Sequence, residues 1–158
     1  MAGMKSNSIK RGGQAVLCAV LAAAIGGASA APKPEDAVAY RQGILRALGW
    51  NVGPMGAMVK GDIPFDAQRF AFLAGRTAAL APMALEGFTP DTRDAKSHAR
   101  PGLWENMQDF EARMAALREA TTALAAAAQG GDEAGIKQQF GETVQVCKGC
   151  HDEYREKQ

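Results

Sequence analysis

The sequence predicts an all-α protein, folded as an antiparallel four-helix bundle. Apolar residues recur every three or four positions through long stretches, which is the helical period. Proline and glycine cut the chain into four such segments. Aromatic residues make up only 6% while alanine is abundant. That balance suits close-packed helices and not a β-sandwich, which draws on valine, threonine and aromatics. At 158 residues, 47% apolar and 22% charged, the chain has the size and composition of one globular domain. A formal charge of +1 gives no basic surface of the kind nucleic acid requires.

The first thirty residues stand apart from this pattern. Lys5, Lys10 and Arg11 precede an uncharged run from Ala15 to Ile25, followed by the small residues Ala28-Ser29-Ala30. A basic start, a short apolar centre and an A-x-A end are the features of a secretory signal peptide. The run is too short to cross a bilayer, which takes about 20 residues. Cys18 follows Leu17 in mid-run and does not suit a lipoprotein site. Residues 1–30 are therefore expected to be removed after Ala30, leaving a domain over 31–158 with no membrane anchor. Loss of three cations and no acid takes the formal charge from +1 to −2. Cys18 goes with the leader, so Cys147 and Cys150 remain and no disulfide framework is expected.

The first helical segment opens at Pro34 with Glu35 and Asp36, residues suited to a helix start. Val38, Ile44, Leu45, Leu48 and Val52 form its apolar positions. Gly53-Pro54 is expected to bend or interrupt it before Met55, Met58 and Val59. The turn Gly61-Asp62-Ile63-Pro64 leads to a second helix marked by Phe70, Leu73, Thr77 and Leu80, weakened near Pro82. Residues 87–100 are polar, carry Pro90 and show no period, so they read as one long loop. Pro101 is expected to open the third helix, with a seam of Leu103, Met107, Phe110, Met114, Leu117, Thr121, Leu124 and Ala128. Gln129-Gly130-Gly131-Asp132 ends it and caps the fourth. There Ile136, Phe140, Thr143, Cys147, Cys150 and Tyr154 continue the same step.

The last helix carries the chemistry. Cys147-Lys148-Gly149-Cys150-His151 is C-x-x-C-H, the attachment motif for c-type haem. On a helix, positions three and four residues after Cys147 share its face. Two thiols can then form thioethers with the haem vinyl groups, and the imidazole of His151 can ligate the iron. The rival readings are a dithiol redox pair, which would prefer a βαβ context absent here, and a zinc site. Zinc would take Cys147, Cys150 and His151, with His98 as the one remaining histidine, whereas zinc ligands normally come from two separated knuckles. A purely structural bundle with a chance motif is the third.

The chain resembles the cytochrome c′ family, the class II c-type cytochromes. The likeness runs through KPEDAVAYRQGIL (Lys33–Leu45), ARPGLW (Ala99–Trp104) and CKGCHDEYREK (Cys147–Lys157). A C-terminal motif in a four-helix chain and the Tyr-Arg-Gln segment on the first helix distinguish class II from ordinary cytochromes c. The resemblance implies one covalently attached haem c, with Cys147 and Cys150 as attachments and His151 as the proximal iron ligand. Arg41 and Gln42 would contact the haem, its propionates in particular. Leu45 would cover the distal iron face, Phe110 line the cavity, and Arg155 stand beside the proximal side. His98 reads as an exposed loop histidine, and Lys148, Asp152 and Glu153 as solvent-facing.

These residues lead to an expected function. A periplasmic haem protein would transfer electrons, bind small gases such as nitric oxide or carbon monoxide, or do both. No general base, nucleophile or substrate site is legible, so the chain does not read as an enzyme. After Arg41-Gln42 come Gly43, Ile44, Leu45 and Arg46, none an iron ligand, so a five-coordinate iron is expected. The alternative is a low-spin class II electron carrier. The resemblance also implies a homodimer with first helices crossing; Met55, Met58 and Val59 either offer surplus apolar surface for it or close the end of the core. The sequence does not specify the redox partner protein.

Overall fold

A computed structural model describes residues 32–157. The expected leader lies outside these residues. Four long helices form the bundle: α1 (Pro34–Lys60), α2 (Ala67–Leu80), α4 (Met107–Gly130) and α5 (Glu133–Tyr154). A single helical turn, α3 (Gly102–Glu105), precedes α4, and 3₁₀ turns occupy Ala81–Leu85 and Pro90–Thr92. No strand occurs among the described residues, which contain only an isolated antiparallel bridge between Ala99 and Arg155.

Local chemistry sets the helix ends. Pro34 begins α1, and Gly61 ends it in the left-handed conformation (φ 81°), its N–H reaching the carbonyls of Ala57 and Met58. Asp66 caps α2 by accepting from the N–H of Arg69 at 3.0 Å. Pro82 stands in the 3₁₀ turn directly after α2, in line with the expected weakening there. Gly131 (φ 78°) ends α4, and Asp132 caps α5 by accepting from the N–H of Gly135 at 3.0 Å.

The antiparallel order follows from the core. One cluster joins Met55 and Met58 at the end of α1, Phe70 early in α2, Leu124 late in α4, and Ile136 and Phe140 early in α5. A second joins Leu48 of α1, Ala81 and Ala84 after α2, Phe110 and Met114 early in α4, and Tyr154 at the end of α5. Neighbouring helices thus run up and down in turn.

Three expectations are corrected. Gly53-Pro54 does not interrupt the first helix; α1 runs unbroken through Pro54 to Lys60. Proline costs about 3 kcal/mol inside a helix. Burying Met55 and Met58, 0% and 1% exposed, offsets this at about 1.5–3 kcal/mol each. The carbonyl freed by Pro54 belongs to Trp50, which is 79% exposed, so water satisfies it. Second, the helix opening at Pro101 stops after one turn. Asn106 (φ −123°, ψ 45°) breaks it, and α4 starts anew at Met107. Third, of the two readings of Met55, Met58 and Val59 the surplus surface falls and the end of the core stands: the methionines are core, with Val59 packed against them.

Candidate functional site

The second cluster encloses a cavity of about 480 Å³ that is lined mainly by apolar atoms. Every sequence-predicted site residue lines it: Arg41, Gln42 and Leu45 from α1, Phe110 from α4, and Cys147, Cys150, His151 and Arg155 from the last helix and its end. The helical register brings the two sulfurs to one wall, half-buried, while His151 is exposed at the mouth. Burial pushes both thiols above their ordinary pKa. Partial desolvation against the cavity mouth, with the Arg155 cation, pulls the His151 imidazole below its ordinary value. The neutral, ligating form is thereby favoured.

Arg41 is only 2% exposed, far from the solvated charge a lone helix arginine usually is. Nη1 donates to the carbonyl of Gly87 (2.8 Å) and to Thr92 Oγ1 (2.6 Å), and Nη2 to Ser97 Oγ (3.1 Å). The guanidinium lies 4.4 Å from the Phe88 ring centroid. Gly87 is required by this approach: a Cβ there would come within 2.5 Å of the Ala37 carbonyl and 2.8 Å of Arg41 Cβ. Burial pushes the Arg41 pKa down. No salt bridge to Arg41 occurs among the described residues. A buried cation without a carboxylate partner calls for an anion at the cavity edge.

Three features of the site escaped sequence reasoning. Asp109 accepts from Tyr154 Oη at 2.5 Å and from Arg113 Nε at 2.7 Å. Arg113 Nη1 also donates to the carbonyl of Gly149 (3.2 Å), between the two cysteines, tying α4 to the attachment turn. The i,i+4 spacing of Asp109 and Arg113 was the available signal; nothing local announces Tyr154. Met114, assigned by its period to the bundle seam, also lines the cavity. The loop 87–100 holds the end of α5. Arg100 N–H donates to the Tyr154 carbonyl, Glu156 N–H to that of His98, and Arg100 Nη1 to those of Asp152 and Glu153. His98 is exposed at the cavity rim, with Nδ1 3.8 Å from Glu156 Oε2. Lys148 pairs with Asp152 on the solvent side.

The donor set fits a haem. A Cys-x-x-Cys-His turn stands at one wall, the cavity is largely apolar, and a buried guanidinium waits for an acid. No group of three His, Cys, Asp or Glu side chains converges on a metal ion among the described residues, against the zinc arrangement. A flat, mostly apolar group with acidic edges answers both parts of the cavity, and that places the chain among haem proteins built on a four-helix bundle.

Comparison with known proteins narrows the class. Residues 36–155 match the family model described as Cytochrome C'. Cytochrome c' of Halomonas halodenitrificans is 39% identical over 129 residues, covering 78% of this chain and 98% of that one. Cytochrome c' of Rubrivivax gelatinosus is 36% identical over 126 residues, covering 79% and 98%. Among solved structures, cytochrome c prime from Shewanella frigidimarina superposes with a TM-score of 0.78 at 39% identity, covering 80% of this chain and 99% of that one. The nitric oxide complex of a leucine-to-alanine variant of cytochrome c prime from Alcaligenes xylosoxidans gives 0.75 at 34% identity, covering 81% and 99%. The chain belongs to the cytochrome c′ family, whose members carry covalently attached haem c.

Proposed function

We propose that this protein is an exported, periplasmic haem protein that carries electrons and binds small neutral gases, nitric oxide or carbon monoxide, at a five-coordinate iron. It is not an enzyme on this reading. The observation that carries the proposal is the α1 wall of the cavity, where Leu45, Leu48 and Val52 present only hydrocarbon. When bound, the haem supplies an iron that exchanges one electron and offers an open coordination position. The chain's own residues do the rest. Cys147 and Cys150 fix the group to α5, His151 donates the proximal nitrogen, and Arg41 and Gln42 hold a propionate. Arg155 keeps a positive charge beside the imidazole, and Phe110 fills against the ring. Leu45 keeps the distal side dry and crowded, which favours small neutral ligands over anions. The nitric oxide complex of the Alcaligenes relative is in keeping with this.

The low-spin alternative has two candidate ligands at the cavity, Met114 in its wall and His98 at its rim, because Met55 and Met58 lie in the other core cluster. Visible spectra of the purified protein, oxidised and reduced, with and without carbon monoxide, test the proposal. A Soret band, a high-spin ferric form unchanged by Met114→Ala or His98→Ala, and a carbon monoxide shift are expected. No Soret band overturns the haem assignment, and a low-spin ferric form overturns the open iron.

Export rests on the leader pattern at residues 1–30; no described helix is long and apolar enough to cross a membrane. A homodimer through α1 is supported by Trp50, 79% exposed on a face it shares with Gly43 and Gly53, where added Cβ atoms would meet open space. Sedimentation should show a dimer, and Trp50→Arg a monomer; a wild-type monomer at micromolar concentration removes this part of the proposal.

A further inference from the structure

Between the two apolar clusters lies one polar residue from each long helix. Asn51 stands between Leu48 and Met55 on α1, and Thr77 between Leu73 and Ala81 on and after α2. Thr121 stands between Met114 and Leu124 on α4, and Thr143 between Phe140 and Cys150 on α5. All four are at most 2% exposed, and the three threonines also line the cavity. They form a buried polar layer that floors the cavity and separates it from the solid core.

The layer offers more acceptors than free donors. A threonine hydroxyl has one hydrogen. Thr77 Oγ1 donates to the Leu73 carbonyl (2.8 Å), Thr121 Oγ1 to that of Leu117 (2.9 Å), and Thr143 Oγ1 to that of Gln139 (2.8 Å). Thr143 Oγ1 also lies 3.3 Å from the Ala120 carbonyl on α4, so every hydroxyl hydrogen is committed to a backbone carbonyl and none reaches Asn51. Asn51 Nδ2 donates to the Ala47 carbonyl at 2.7 Å. That bond fixes the amide orientation, since a flipped amide would set oxygen against oxygen. Asn51 Oδ1 is then buried with no partner, the one such side-chain atom among the described residues. Buried polar atoms in native proteins are satisfied by protein or by ordered water.

We propose that the layer binds an ordered water, which donates one hydrogen to Asn51 Oδ1 and the other to a threonine oxygen of the same layer. Water supplies the donor that Asn51 Oδ1 lacks, and a buried water needs two to four polar partners. The layer lies outside the attachment turn. Its failure would leave the Soret band in place, and a missing Soret band would leave the layer as it is.

Crystal structures of the haem-loaded wild type and of Asn51→Leu, at a resolution where ordered water is seen, test the proposal. The wild type should show a water about 2.7–3.2 Å from Asn51 Oδ1 and within the same reach of Thr77, Thr121 or Thr143 Oγ1. Asn51→Leu should lose that peak while the other internal waters remain. A wild-type layer that is dry, or in which Oδ1 accepts from a protein group or from the haem, overturns the proposal without recourse to any variant. Persistence of the water in Asn51→Leu would show that asparagine does not hold it.

Discussion

Replacing Cys147 and Cys150 together by alanine removes the means of covalent attachment and leaves the helices to face an empty space. A residual cavity costs about 24 cal/mol per Å³. The 480 Å³ of this cavity then correspond to about 12 kcal/mol. That is a ceiling, because His151 stands exposed at the mouth and water enters there. Domains of this size are stable by only about 5–15 kcal/mol, so even half the ceiling leaves little. The far cluster around Phe70, Ile136 and Phe140 does not touch the cavity's cysteine wall and retains its packing. The double variant should therefore keep most of its far-ultraviolet helix signal while losing near-ultraviolet dichroism, binding a hydrophobic dye and unfolding over a broad urea range. A sharp, cooperative melt within a few degrees of the haem-loaded protein would refute the reasoning, since it would mean that the helices close the space unaided.

Leu45→Ala should speed distal ligand entry and raise carbon monoxide affinity, measured by flash photolysis and titration; unchanged binding would place the steric guard elsewhere. Arg41→Leu leaves the Gly87 carbonyl and the Thr92 and Ser97 hydroxyls without their donor, and should cost about 2–4 kcal/mol in urea unfolding of the haem-loaded protein. Stability should fall at both pH extremes through the Asp109–Tyr154 bond. That bond and Arg113 hold the Asp109 carboxyl below its ordinary 3.8, so the stability it adds is present above that value and lost as pH falls through the folded pKa. The same bond raises the Tyr154 phenol above 10.0, so its share is present below 10.0 and lost as pH rises through the folded pKa. Asp109→Asn should flatten the acid limb of a pH–stability curve, and an unchanged limb would show that the bond does not form.

The legible parts of the molecule were those written locally. The Gly131-Asp132 stop and start, the seam from Phe110 to Ala128 and the attachment turn each depend on neighbours within a few residues. Pro54 misled because its penalty is local while the burial of Met55 and Met58 that outweighs it comes from α2 and α5. Asn106 was invisible because Leu103, Met107 and Phe110 keep a helical period across the break. Arg41 could be placed at the site by resemblance, but its depth could not be read. The groups that receive it, Gly87, Thr92 and Ser97, sit in a loop with no period. Arg113 and Tyr154 were missed for a similar reason: their bonds join α4 to α5 across the bundle.

The loop 87–100 acts as a strap with two buckles. At one end Gly87, Thr92 and Ser97 grip Arg41 near the start of α1; at the other Arg100 and His98 grip the last carbonyl and N–H groups of α5. Few large apolar side chains are buried along it, so its opening exposes little apolar surface and takes less free energy than opening the bundle. In a hydrogen-exchange experiment the amides of Arg100 and Glu156 should exchange together and ahead of the amides around Phe70 and Ile136. Weakening either buckle, by Thr92→Val or Arg100→Leu, should then speed exchange at the end that carries the attachment turn and leave the opposite end unchanged.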